Sequence, residues 1–139
     1  MLGKKDDLAS TPTLCRFENR QDSEAALQLN RLLVDCFIES YKKAPKEIIL
    51  DFDATDNPIH GNQEDRFFHG YYDHHCFLPL YVFCKGRLLC AYLRQSNIDG
   101  AKHSGAILKL LVTYIRKNWP KTKIILRADS GFCRDKILS

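Results

Sequence analysis

The run Ile48-Ile49-Leu50-Asp51-Phe52-Asp53-Ala54-Thr55-Asp56 constrains this chain more than any other stretch. Residues 47–52 read as a short buried strand, because they are apolar or β-branched, too few for a helix, and preceded by Pro45. The strand then delivers three carboxylates, Asp51, Asp53 and Asp56. Carboxylates are rarely buried unless paired or bound to a metal. Acids at the end of a strand, at a sheet edge, supply the hard oxygen ligands that Mg²⁺ needs. Asp at a strand end is equally a turn former or an N-cap, and the run alone leaves both readings open.

A chain of 139 residues suffices for one domain with a modest core. Its 45% hydrophobic and 27% charged residues are ordinary for a globular protein. No apolar run approaches the roughly 20 residues that span a bilayer. The start, Met1-Leu2-Gly3-Lys4-Lys5-Asp6-Asp7, lacks the apolar segment of a signal peptide. The expectation is a cytoplasmic protein without a membrane partner. A net charge of +4 and a pI near 8.7 permit a polyanionic partner without requiring one, since a clear electrostatic footprint usually means a pI above about 9. None of the six cysteines forms a C-x-x-C pair, so the common zinc-ribbon and thioredoxin spacings are absent. Cys36, Cys84 and Cys90 sit in apolar runs and read as small core residues.

Residues 1–22 are polar and irregular, and 11–17 read as an extended segment. A helix is expected over 23–41, with an acid in its first turn and an apolar face of Leu29, Leu32, Leu33, Cys36 and Phe37. Ala44-Pro45 hands over to the first strand. Residues 56–70 form a long polar loop, of a length that is usually functional or disordered. A second strand is expected over 76–84, with Pro79 favouring an edge, a bulge or a strand start. Lys85-Gly86 makes a tight hairpin turn into a third strand over 87–94. A helix over 101–118 carries the stripe Ile107, Leu108, Leu111, Val112 and Ile115, and Pro120 closes it. A fourth strand over 122–126 delivers Arg127-Ala128-Asp129-Ser130-Gly131-Phe132.

This order gives an α/β fold: an N-terminal helix, an antiparallel three-strand meander, then a helix and a fourth strand parallel to the first. The crossover helix makes a right-handed connection by default. The first and fourth strands then lie side by side and end at one sheet edge, bringing Asp53 and Asp129 within about one strand spacing, ~4.8 Å. Ligand sites fall at the carboxyl ends of neighbouring strands in such sheets.

At this point the residues resemble a family. Leu50-Asp51-Phe52-Asp53-Ala54-Thr55-Asp56, His60-Gly61-Asn62-Gln63, Gly70-Tyr71-Tyr72, Leu78-Pro79-Leu80, Leu93-Arg94-Gln95-Ser96-Asn97 and Leu126-Arg127-Ala128-Asp129-Ser130-Gly131-Phe132-Cys133 are similar to motifs of bacterial insertion-sequence transposases of the DDE class. Their active site is two aspartates and a glutamate on an RNase H-like fold. The likeness runs from about Leu8 to the end, with several motifs agreeing in order. It implies that Asp53 and Asp129 are the first two catalytic acids and metal ligands, holding Mg²⁺ or Mn²⁺. It implies DNA transposition by cleavage of element ends and strand transfer into a target, with a homodimer as the working form. Two-metal phosphoryl displacement is the chemical logic, with ions about 4 Å apart.

The family's third acid, a glutamate on a later helix, has no counterpart here, and Asp135 follows Asp129 too closely to replace it. The resemblance therefore implies a partial RNase H-like fold, the N-terminal part of a transposase. Residues 1–22 would be an extended segment, and 23–139 a helix plus a truncated catalytic domain, inactive by itself. The alternative is a catalytically dead DNA-binding or interaction remnant.

Several further residues are candidates for DNA contact. His60, Asn62 and Gln63 follow the first acid, and amide side chains hydrogen-bond phosphates and bases; the loop's Asn and Gly serve a turn equally well. Arg127 and Arg134 flank the second acid, where Arg steadies phosphate or pairs with a carboxylate. Phe68, Tyr71 and Tyr72 either pack at the edge of the core or stack on an unpaired base. His69, His74, His75 and Cys76 lie close together, yet their spacing matches no closed zinc module.

Overall fold

The computed structural model describes residues 9–62 and 67–132. Its central strand is β1, Glu47–Ala54, where burial alternates: Ile48, Leu50 and Phe52 point into the core, and Asp51 and Asp53 point away. β1 pairs antiparallel with β5, Leu80–Cys84, which pairs antiparallel with β6, Arg87–Tyr92. On its other side β1 pairs in parallel with β7, Lys123–Ala128, from Glu47 opposite Lys123 to Phe52 opposite Ala128. The sheet order is β6-β5-β1-β7, the expected meander with a parallel fourth strand. Lys85 and Gly86 both take positive φ, 50° and 75°, at the tight turn between β5 and β6.

Two of the expected elements are divided differently. The run over 76–84 is not one strand. It splits into β4, His74–Phe77, and β5, on either side of Leu78-Pro79. Proline has no N–H for a ladder, so it marks the point where the chain leaves one sheet for another. The Leu78 N–H instead donates to the Arg94 carbonyl at 2.8 Å. The stretch over 56–70 contributes two short strands: β2, Asn57–Pro58, and β3, Phe67–His69, flank β4 in a three-stranded antiparallel sheet.

The segment over 11–17 is helical rather than extended. α1 spans Thr11–Glu18, with Pro12 in its first turn. Proline is at home there, because the N–H it lacks would have no helical partner. None of the residues of α1 is buried.

α2, Ser23–Glu39, begins where Asp22 accepts a hydrogen bond from the Ala25 N–H at 2.9 Å. Its buried side matches the expected one only in part: Phe37 is buried and Leu33 half-buried. Leu29 and Leu32 remain 58% and 55% exposed, and Cys36 is exposed too. Val34 and Phe37 are buried, and Ile38 packs beside them. Apolar residues lie on two sides of α2, so periodicity alone does not select a face. Contacts with β6 and α3, Ser104–Asn118, select it. Asn30 supplies polar registration: its side-chain oxygen accepts from the Ala91 N–H at 2.8 Å, and its amide nitrogen donates to the Ala91 carbonyl at 3.3 Å. This occupies backbone groups of β6, the edge strand of the sheet, that would otherwise need water.

α3 starts three residues later than expected, after a turn at 101–103. Leu111 and Ile115 are its buried stripe, with Ile107 and Leu108 packed against the core. Trp119 closes it and makes edge-to-face contacts with Phe37 and Tyr41, at centroid distances of 5.7 and 5.1 Å. The core is therefore one layer between α2 and α3 and one face of the larger sheet. The other face carries the half-buried or exposed Asp51, Asp53, Tyr81 and Phe83.

Two outcomes test this packing. Replacing Trp119 by Ala removes a buried ring shared by both helices, and is expected to cost about 3–5 kcal/mol in a urea melt. Asn30→Ala is expected to cost about 1–2 kcal/mol, and to speed hydrogen exchange at the Ala91 amide while leaving distant core amides protected.

Candidate functional site

The parallel ladder fixes where the acids stand. Phe52 lies opposite Ala128, so continuing that register by one residue sets Asp53 abreast of Asp129. Both aspartates are exposed. The Asp53 side chain makes no hydrogen bond or ion pair among the described residues, and its backbone lies opposite Tyr81 of β5.

Asp129 is positioned by its own turn. Its Oδ1 accepts from the Gly131 N–H at 2.8 Å, and its carbonyl accepts from the Phe132 N–H at 3.1 Å. A Cβ on Gly131 would lie 3.0 Å from that carboxylate oxygen, tighter than a side chain tolerates comfortably, so glycine is what lets the N–H approach. Phe132 is buried against Phe52, with centroids 6.3 Å apart, and pins the turn to the core. Asp-Ser-Gly-Phe is thus a carboxylate, its N–H donor and an anchor within four residues.

The other two acids are occupied. Asp51 receives a forked pair of hydrogen bonds from Arg127, Nε to Oδ1 and Nη2 to Oδ2, the latter at 2.8 Å. That bond raises the guanidinium's pKa, with the Asp51 charge adding to it. Arg127, an expected DNA contact, is therefore engaged by a carboxylate on the neighbouring strand. Asp56 is 2.8 Å from His74 Nε2.

An open cleft of about 350 Å³ runs beside Asp129, with His69, Tyr71, Tyr72, Leu78 and Gly100 in its walls. Tyr72 reports the field there. Burial first, then the charges of Asp56, Tyr71, Asp129 and Asp53, push its phenol above the usual value. One side chain thus senses all three carboxylates, which places Asp53, Asp56 and Asp129 around one region. The ring rests against His69 at 4.9 Å, and the buried His69 Nδ1 has no hydrogen-bond partner among the described residues.

His60 and Asn62 are exposed and do not line this cleft. Gln63 and Arg134 lie outside the described residues. The histidines at 69, 74 and 75 do not converge with Cys76: among the described residues no group of three or more His, Cys, Asp or Glu side chains could hold a metal ion. Cys76, Cys84 and Cys90 are buried, and burial pushes the Cys90 thiol up to about 11.

One residue escaped the sequence reading. Arg94 is only 4% exposed, and the charge of Asp99 acts on it. Its Nε donates to the Leu78 carbonyl at 2.8 Å, and its Nη1 to those of Gly100 and Lys102 at 2.9 and 2.7 Å. Burial lowers its pKa. These bonds tie the Leu78 crossing to the turn over 99–102, and Gly100 there sits over Ala54, next to Asp53. An Arg just past an apolar strand is ordinarily a surface residue. Only its place in the quoted Leu93–Asn97 motif marked it.

The residues fit a divalent ion in part. Asp53 and the second oxygen of Asp129 are hard donors at adjacent strand ends, and Mg²⁺ is commonly held by one or two carboxylates with water and phosphate completing its shell. A third acid free of a protein partner is absent among the described residues facing the cleft.

In comparison with known protein families, the family model for the transposase DDE domain, group 1, aligns with residues 1–139. No curated protein and no solved structure matches the chain. No described helix is long and apolar enough to cross a membrane. The two strand-end aspartates, the Asp-Ser-Gly-Phe turn and a family match over the entire sequence lead to one assignment: the chain belongs to the transposase DDE domain family, group 1.

Proposed function

We propose that this chain contributes the first two acids of a metal-dependent phosphoryl-transfer site acting on DNA, Asp53 and Asp129, on a partial RNase H-like fold. The reaction is cleavage of element ends and strand transfer during transposition, in the cytoplasm, by a protein that works as a homodimer. The observation that carries the reading is the parallel register of β1 and β7, which ends both strands at one edge with an aspartate each.

A bound Mg²⁺ or Mn²⁺ would polarise the scissile phosphate and lower the pKa of the attacking water or hydroxyl. The chain's own residues prepare for it. Gly131 N–H occupies one oxygen of Asp129 and so orients the other. Arg127 withdraws Asp51 from competition for the ion. Tyr72, kept neutral by burial and by the surrounding acids, adds no charge to the cleft. The unneutralised carboxylates repel a phosphate, so DNA binding at this edge depends on the cation.

Among the described residues at this edge two acids stand unengaged, and these bind the ion and DNA. Asp56, held by His74, does not fill the third place. The family glutamate would do so.

Mn²⁺ titration tests the assignment. Asp53→Ala and Asp129→Ala are each expected to lower Mn²⁺ affinity at least about ten-fold, as removing one ligand does. Unchanged affinity in both refutes the site. In DNA retention assays, Mg²⁺ is expected to strengthen wild-type binding and to leave the Asp53→Ala variant unaffected, while added salt weakens both. Retention that ignores Mg²⁺ altogether favours a DNA-binding remnant without a metal centre.

A further inference from the structure

Tyr71 and Tyr72 had two fates open in the sequence, core packing or stacking on a base, and for Tyr71 the structure removes the first. Tyr71 is 86% exposed, the most exposed of the large apolar side chains among the described residues. It is nonetheless held. It stands on the turn between β3 and β4, which the Asp73 N–H closes onto the His69 carbonyl at 2.8 Å. Its ring meets Tyr72 edge to face, with centroids 5.0 Å apart and planes at 85°. Tyr72 is braced in turn by His69 at 4.9 Å and His74 at 6.1 Å. An aromatic ring held by a neighbouring ring and otherwise open to solvent has little rotamer freedom to lose when something stacks on it.

The position narrows what that something is. Both tyrosines line the cleft that Asp129 and Ser130 line, a space of about 350 Å³, within the range of small-molecule sites. Among the described residues the charged side chains acting on Tyr72 are the carboxylates Asp56, Asp129 and Asp53, which do not attract an anion by themselves. A neutral π-face suits a flat, uncharged aromatic group. Where a DNA phosphate is drawn to the acids by a cation, the adjoining group of that kind is a nucleobase.

We infer that Tyr71, propped by Tyr72, is a stacking platform for one unpaired nucleobase of the DNA strand whose phosphate lies at Asp53 and Asp129. This inference rests on the reading proposed above and names the substrate element that the cleft takes: a base out of its duplex stack, at an open end or extruded. Base–aromatic stacking is sequence-tolerant, because every base has a π-face. The platform therefore grips without selecting a sequence.

The experiment uses the full 139-residue chain and a single-stranded oligonucleotide carrying one 2-aminopurine, whose fluorescence is quenched on stacking. With Mg²⁺ present, the wild type is expected to bind and quench it. Tyr71→Phe should keep both properties. Tyr71→Ala should lose the quenching and bind roughly ten-fold more weakly, the equivalent of one base–aromatic stack, with the salt dependence unaltered. Tyr71 is exposed enough that neither change threatens the fold, and circular dichroism checks this. A Tyr71→Ala variant that binds and quenches like the wild type overturns the inference, as does a wild type that binds the oligonucleotide without quenching or fails to bind it. Failure of the metal reading shows separately, as Mn²⁺ affinity unchanged in Asp53→Asn, in a variant that retains Tyr71.

Discussion

The parallel ladder between β1 and β7 is the interaction on which the rest of the structure depends. Parallel strands cannot be joined by a short turn, so the chain spends β5, β6 and α3 to return. The start of the ladder is clamped twice: Thr122 Oγ1 donates to the Pro45 carbonyl at 2.8 Å, and the Lys123 N–H donates to that of Lys46 at 2.9 Å. Arg116 reaches over the same turn to the carbonyls of Pro120 and Thr122. Toward the far end, the Arg127–Asp51 fork spans the two strands on the outward face. Register is therefore fixed at both ends. A slip by one residue would turn Ile48, Leu50 and Phe52 out of the core, and would move Asp53 to the wrong face at the same time. Core packing and the position of the acid pair are one constraint.

The sheet separates two tasks by alternation. Its core face buries aliphatic and aromatic side chains beneath α2 and α3, and its other face can carry acids because water reaches them. The three outward acids differ in their partners. Asp51 has Arg127, Asp56 has His74, and Asp53 has neither. This sorting is electrostatic: a carboxylate already paired with a cation gains less from a second one.

The cleft beside the acids is built by the smaller sheet, and its wall depends on a buried cation. Arg94 carries its charge into the interior with carbonyl oxygens of Leu78, Gly100 and Lys102 as its compensation. A buried charge is costly unless hydrogen bonds and nearby opposite charge offset it. The bonds also join the crossing between the two sheets to the turn before α3. That turn lies over Ala54, so the same guanidinium helps shape the space next to Asp53.

The sequence by itself determined the strands with alternating or continuous apolar runs, the hairpin at Lys85-Gly86, the extent of α2 and α3 to within a few residues, and the convergence of Asp53 and Asp129 at one edge. These follow from local periodicity, turn chemistry and the handedness of a crossover. Tertiary structure alone decided the matters of partnership. It turned α2 so that Val34 joined Phe37 in the core and Leu29 and Leu32 stayed in solvent, because a helix with two apolar flanks is oriented by what it meets. It divided the run over 76–84 between two sheets, because proline leaves a gap in a ladder that only a second sheet reveals. It gave Arg127 to Asp51, buried Arg94 and left Tyr71 in solvent, because burial and pairing belong to the fold around a residue and are not written in its neighbours along the chain.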